Sequence, residues 1–488
     1  MNVEAYKCKY LLANPVLGKN PFENTFFDND GNATIKGIKN SSLREIIRFL
    51  KIYYKNTFRE YIKYIKRKII WMKYGHRFND KLGSDKLIII DTYFLTNKII
   101  ENKIFFDTYF DQLIKTLEKK KINYAYLPIF FGINSDDDFK QTLKILKNHQ
   151  VSMLSEFELL TTIDFLRLIC LVLIYPYHVL RLFYSLKDNS FISQVFKNEL
   201  LISLPKLTIS PFSRYLQGIR ISALPFNDIK IISWYENQVI QKTFYKGLRK
   251  KKFKIDIYGC QLFIWPFSIL NIICDPNEID HGIVPDKVLV NGKYYLYTDK
   301  RINSDVGPSL RYNEIFNFKV DFNKRKDFLV LLPYFDYEIV NLLTIIKNLV
   351  FSPGRIIIKF HPTTIINRFN DLIPTNAIVS EMNIYELFVN TKIVLSSQSG
   401  GIVEAVSVGI PAIVLPHAEK YSHNPLPHFG KSIVWDYARD QNDVEELIEK
   451  FNFKLDHYNN EIIKISDIYK EMFFCEPTEK KVLESFEL

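Results

Sequence analysis

The apolar positions of this chain fall in short unbroken runs, not in strict alternation. In the first half they occupy residues 86–90, 122–129, 229–233, 253–257 and 286–292. In the second half they occupy 328–332, 355–360, 377–379, 392–396, 411–415 and 432–434. A short apolar run reads as a strand covered on both faces, as in parallel sheets. Helically patterned stretches lie between the runs, such as 141–149 and the segment ending near Leu248. This alternation predicts an α/β chain of doubly wound sheets. Around residues 275–305 it gives way to a turn-rich span marked by Pro276, Gly282, Pro285 and Gly292. The chain therefore divides into a first domain, 1–310, and a second, 311–488, whose sheet starts near Lys326. The last helix is a candidate to cross back. A length of 488 residues is enough for two separate cores.

Composition sharpens this picture in three places. The chain is 47% hydrophobic and 15% aromatic, which excludes wholesale disorder. Its five cysteines are scattered, with neither a CxxC pair nor a zinc spacing, so a reduced, cytoplasmic setting is expected. The first residues lack the long apolar core of a signal peptide. The net charge of +11 is concentrated: residues 41–77 carry eleven Lys/Arg against Glu45 and Glu60, interleaved with Phe49, Tyr53, Tyr54, Phe58, Ile65 and Trp71. Basic amphipathic helices of this kind suit an anionic membrane surface. The same pattern also fits an ordinary helix with a solvated basic face. No nucleic-acid motif accompanies the charge, so nucleic acid is not an expected partner. The apolar stretch 166–184 is interrupted by Pro176 and His178 and flanked by Arg167 and Arg181. It is expected to be a buried or interfacial helix, not a membrane span.

Candidate chemistry gathers in residues 355–416. One predicted strand ends in His361-Pro362; another ends in Ser396-Ser397-Gln398-Ser399-Gly400-Gly401 before a helix. Open parallel sheets bind ligands beyond the carboxyl ends of their strands. Hydroxyls and glycines at a helix N-terminus favour phosphate there. Ser396, Ser397 and Ser399 are candidates for that contact, though a serine in this place also fits a plain helix cap. Gly400 lets the backbone approach a ligand. Glu404 is placed to accept two ribose hydroxyls, or to be a first-turn acid favoured by the helix dipole. Proline holds His361 extended, which suits donation to a phosphate or sugar oxygen. Lys359 lies on the same strand face. The triple acid Asp136-Asp137-Asp138 reads as a solvated turn. His417, His423 and His428 lack zinc spacing and sit in a candidate lid loop.

The paired motifs His361-Pro362 and Ser396-Ser397, with the run from Glu404 to Pro411, resemble GT-B glycosyltransferases. The resemblance is strongest to bacterial CMP-sialic acid and Kdo transferases of capsule and lipopolysaccharide synthesis. It covers about 150 residues of the second domain. It implies a GT-B fold, two Rossmann-like doubly wound domains facing across a cleft, with a nucleotide sugar on the second and an acceptor on the first. It further implies that the first domain supplies a carboxylate as base or nucleophile. Glu236 and Asp91, both at predicted strand ends, are the candidates. The family's acidic tripeptide is missing from the first half. Arg311, just past the turn-rich span, is expected to bind a phosphate or sugar carboxylate. No metal or other cofactor is expected. The implied activity is transfer of a sugar, with a CMP-activated ulosonic acid favoured, to a glycan or lipid-linked glycan acceptor at the inner face of the cytoplasmic membrane. A nucleotide-sugar 2-epimerase, a CDP-alditol phosphotransferase and a non-catalytic carbohydrate-binding protein share enough of the pattern to stand as alternatives.

Overall fold

A computed structural model describes residues 43–488 apart from 77, 79–84, 188–190, 207–208, 251–254, 267–268, 270–271, 320, 350–353, 363 and 419–421. The first 42 residues, Arg77 and the start of the run 253–257 therefore lie outside the described residues. The first sheet comprises β1 (Lys86–Leu95), β2 (Tyr124–Phe131), β3 (Asp228–Trp234), β4 (Ile255–Gln261), β5 (Lys287–Val290) and β6 (Ser304–Val306). The second comprises β7 (Asp327–Leu331), β8 (Arg355–Lys359), β9 (Ala377–Val379), β10 (Thr391–Ser396), β11 (Ala412–Val414) and β12 (Trp435–Tyr437). Their orders are β2-β1-β3-β4-β5-β6 and β12-β11-β10-β7-β8-β9. Every named pairing is parallel. The two doubly wound sheets expected from the apolar runs are thus both present. Strand order reverses between β1 and β3 in one and between β7 and β10 in the other, and such reversals open a crevice for ligands.

Burial explains the unbroken runs. Leu87, Ile88, Ile89 and Ile90 of β1 are all fully buried, as are Leu329 and Val330 of β7. Strands with helices on both faces have no solvent side to mark with polar residues. Three expectations need correcting. The run 432–434 is not a strand; β12 starts one residue later, at Trp435. The three-residue β6 was not anticipated, because it lies in the turn-rich span and is too short for any periodicity. The acids at 136–138 are not a turn but the first residues of a helix, Asp136–Asn148. Ser135 and Asp138 close a capping box there, and three acids in the first turn suit the helix dipole.

The apolar stretch folds as one uninterrupted helix, Thr162–Ser185, which runs straight through Pro176. Proline removes the hydrogen bond to the carbonyl four residues earlier, that of Val172. The buried Tyr53 hydroxyl donates to that carbonyl at 2.7 Å. Tyr53 belongs to the basic helix Leu43–Tyr74, so this bond ties the two helices together. A close approach also fixes the helix that follows β3. Between helices Ser210–Ile221 and Val239–Leu248, a Cβ on Gly247 would lie 2.1 Å from the Tyr215 carbonyl oxygen, and one on Gly218 2.4 Å from that of Phe244.

The chain then returns to its first domain. Helix Asn459–Phe473 brings Phe473 against Tyr294, ring centroids 4.4 Å apart. The last helix, Glu479–Phe486, pairs Glu479 with Lys119 and Lys120, and Lys230 donates to the Phe486 and Glu487 carbonyls. Replacing Tyr53 by phenylalanine leaves the Val172 carbonyl buried without its donor. We expect a loss of about 1–3 kcal/mol in urea unfolding, against little change for Tyr54→Phe, whose exposed hydroxyl sits 3.5 Å from Leu173 O. Equal unfolding midpoints for Tyr53→Phe and the parent would show that the freed carbonyl is satisfied in some other way.

Candidate functional site

The carboxyl ends of the strands bring Glu236, Arg311, His361 and Glu404 into one electrostatic neighbourhood. Glu236 follows β3 in a loop where Asn237 takes a left-handed conformation (φ 57°). Its carboxylate accepts from Trp234 Nε1 at 2.7 Å and from the Gln238 amide, while Gln241 Oε1 accepts from the Glu236 backbone N–H at 3.1 Å. These bonds leave its carboxylate little freedom to turn. Burial raises its pKa above the usual glutamate value, with the Trp234 and Gln238 bonds and the Arg311 charge pulling the other way.

Arg311 sits in the short turn Leu310–Tyr312 that joins the domains. The turn is anchored through Ser309, whose hydroxyl donates to Asn291 O at 3.0 Å and accepts from Cys475 N at 2.9 Å. The guanidinium lies over the rings of Tyr109 and Tyr312, at 5.9 and 5.7 Å. It is exposed, yet its charge reaches Glu236 in one domain and Glu404 and His361 in the other. A cation acting on partly buried groups from both sides puts Arg311 at the junction of the two domains, where burial is also the largest influence on its own pKa.

On the second side, Glu404 lies in helix Gly401–Ser407 and accepts from the Tyr385 hydroxyl at 2.5 Å. Burial raises its pKa; Tyr385 and Arg311 oppose that rise, and Glu314 adds to it. His361 follows β8 and packs edge-on against Tyr334, centroids 5.6 Å apart. Burial and then the Arg311 charge depress its pKa to about 4. It is therefore neutral at pH 7, a hydrogen-bonding group rather than a cation. Ser399 Oγ accepts from Gly401 N at 3.3 Å. A Cβ on Gly400 would come within 3.2 Å of Ile264 in the first domain, so this loop meets the facing domain directly.

Other sequence candidates have different partners. Asp91 is buried in an ion pair with Arg214 at 2.6 Å, with the Ser233 hydroxyl donating at 2.8 Å. It joins β1 to β3 and helix Ser210–Ile221 inside the first domain instead of opening to the cleft. Ser396 is fully buried and donates to Leu331 O at 2.6 Å, pinning β10 to β7 where the strand order reverses. Lys359 donates to the Met382 carbonyl at 2.5 Å. In the histidine loop, burial holds His423 at a pKa of about 4, and His417 packs on Tyr337 at 5.6 Å.

One group was missed. Glu338 opens helix Asp336–Lys347 just after β7, with no solvent exposure, beside Ser397 of the β10 loop. Burial lifts it from the ordinary 4.5 to about 7, and the Ser397 and Ser422 hydroxyls only partly offset that. Neither hydroxyl reaches hydrogen-bonding geometry, and both carboxylate oxygens lack a partner among the described residues. In the sequence it reads as a routine first-turn acid, and only the reversal of strand order at β7 points to it.

No family model matches this chain, and no curated protein matches it. Several solved structures share its general outline. Those include MnaA of S. aureus with UDP (10% identity, 82% of this chain and 96% of that one, TM-score 0.44). They also include the glycotransferase of kitacinnamycin (9%, 83% and 99%, TM-score 0.43) and a UDP-N-acetylglucosamine 2-epimerase (9%, 84% and 95%, TM-score 0.41). Likeness at this level carries nothing about activity.

Glu338 gives a pH signature. Between about 4.5 and 7 the folded chain holds a proton that the unfolded chain has released, so this group makes stability fall as pH rises. Glu338→Gln removes that slope. At pH 8 the variant should exceed the parent by up to ~3 kcal/mol, and near pH 4 the two should converge. Parallel stability curves across this range, read by urea unfolding, would rule out a raised Glu338.

Proposed function

We propose that this chain is an enzyme, a glycosyltransferase that moves a sugar from a nucleotide donor on the second domain to an acceptor on the first. The observation that carries the reading is the placement of Arg311. It lies exposed between Glu236 and Glu404, which come from opposite domains and both have raised pKa values. Group transfer between two substrates needs a cation for the leaving phosphate and a base for the incoming hydroxyl. Here the cation sits at the turn between the domains, with Glu236 on the first and Glu404 on the second. Glu236 is the base: a raised carboxylate pKa makes it a better proton acceptor from the acceptor hydroxyl. Arg311 stabilises charge developing on the donor phosphate, in place of a metal. Neutral His361 donates to a donor oxygen. Glu404, held by Tyr385, accepts ribose hydroxyls. Ser399 and Gly400 line the phosphate path.

The favoured donor is a CMP-activated ulosonic acid, as the His361-Pro362 and Ser396-Ser397 motifs imply. Such a sugar carries its own carboxylate, and an exposed guanidinium can take a carboxylate in two parallel hydrogen bonds. A glycan or lipid-linked glycan of the cell surface is the matching acceptor.

Thermal unfolding with CMP, CDP, UDP and GDP tests the donor half. CMP should raise the midpoint most, because a ligand that binds only the folded state stabilises it. Arg311→Lys should weaken that response about tenfold or more, since a lysine cannot form the paired contact. Glu236→Gln should keep the nucleotide response and lower transfer about 10²- to 10⁴-fold. Transfer by the parent should fall with pH as Glu236 takes up its proton. No response to any nucleotide would sink the reading. Conversion of a donor sugar with no acceptor present would replace it with an epimerase.

A further inference from the structure

The basic helix Leu43–Tyr74 has three distinct sides. At about 100° per residue, Ile46, Tyr53, Thr57, Tyr64 and Trp71 align on one side and are buried. Leu43, Ile47, Phe58, Ile65, Ile69 and Met72 align roughly a third of a turn away, with exposures of 40–76%. Beyond that apolar stripe lie Arg44, Arg48, Lys55, Lys66 and Lys73, all exposed. An ordinary surface helix places charge on the side that its buried face leaves free, whereas here Lys51 is the one charge within the apolar stripe.

Helix Thr162–Ser185 repeats the arrangement. Ile163, Leu166, Leu173, Tyr177 and Tyr184 are 55–63% exposed and recur on one side. Only 28% of its most apolar window is buried. The two helices adjoin through Tyr53 to the Val172 carbonyl and Tyr54 to the Leu173 carbonyl. Tyr54 and Leu173 are themselves exposed, so the two stripes meet.

We propose that these two helices form a docking surface that lies in the plane of an anionic lipid bilayer. Its apolar stripe would enter the acyl boundary, and its basic flank would lie against acidic headgroups. Thr162–Ser185 is long and apolar enough to cross a membrane by length and composition. Spanning is disfavoured by what it is tied to. Asp164 near its start pairs with Arg220 at 2.6 Å, and Tyr175 packs on Phe212 of the same helix as Arg220, ring centroids 5.6 Å apart. Crossing would carry those charges into the bilayer. Arg67, on the same basic helix, also lines a cavity of about 120 Å³ at the carboxyl end of β2, together with Arg214 and Glu156. Nothing in this surface depends on which sugar, if any, the cleft takes.

The test uses the full chain and vesicles of phosphatidylcholine with or without phosphatidylglycerol. The protein should float with the anionic vesicles, stay behind with the neutral ones, and detach as salt rises. Ile69→Ser combined with Met72→Ser changes only exposed positions. It should leave the thermal midpoint in place and lower partitioning about tenfold or more. In a Cys8→Ser, Cys475→Ser background, a polarity-sensitive dye on the exposed Cys170 reads the second helix. Its emission should shift to the blue with anionic vesicles alone. Failure to float, or an unmoved Cys170 signal despite flotation, would overturn the two-helix surface. Self-association in light scattering that the double serine variant abolishes would assign the stripe to a second copy of the chain instead. Nucleotide-induced stabilisation would stand in either case, so the cleft and the surface can fail separately.

Discussion

Everything around the cleft is arranged by one constraint: the Arg311 charge must be held between two domains without being neutralised. A guanidinium paired to a single carboxylate would be a closed salt bridge with nothing left for a ligand. Here Glu236 and Glu404 are instead fixed by neutral donors, Trp234 and Gln238 for one and Tyr385 for the other. Each carboxylate is satisfied locally, so the cation keeps its hydrogen-bonding capacity. The anchoring of the Arg311 turn matters for the same reason. Ser309 joins the end of the first sheet to the returning C-terminal segment, so the position of Arg311 depends on residues 166 apart in the chain.

The returning segment then controls how the two sheets face one another. Phe473 against Tyr294, and Lys230 reaching the last carbonyls, bind the end of the chain to the domain it started from. Two loosely linked domains would place Glu236 and Glu404 at a variable separation. A strap from one to the other narrows that range, and it does so beside Arg311: Phe474 packs on Tyr312, ring centroids 5.0 Å apart, and Cys475 bonds Ser309.

What could be read in the sequence follows from how local each signal is. The central strands were legible because a strand buried on both faces is apolar throughout, as 86–90 and 328–332 are. β6 and β12 were not, because three residues in turn-rich sequence carry no period. Glu236, Arg311, His361 and Glu404 were singled out from strand ends and from a resemblance, and the Arg311 charge acts on the other three. Asp91 and Ser396 satisfied the same strand-end rule yet have internal partners. A strand end specifies position along the sheet, not the direction a side chain faces. Glu338 was invisible because its environment comes from Ser397 and Ser422, far away in sequence. The continuity of Thr162–Ser185 was also hidden, since the hydroxyl that tolerates Pro176 lies 119 residues upstream.

Charge balance in the cleft follows from these pieces. His361 sits close enough to Arg311 for that cation, added to burial, to hold it neutral near pH 7. A protonated His361 would place a second cation beside Arg311. With His361 neutral, Arg311 would be the cation that meets the leaving phosphate in the proposed transfer. As the proposed base, Glu236 would face the opposite demand: a proton affinity raised enough to accept a hydroxyl proton, yet not so far that it is already protonated. Burial pushes it up and Arg311 pulls it back. Burial is the larger influence on both groups; the Arg311 charge adds to it at His361 and opposes it at Glu236, so one side chain acts on both domains in opposite senses.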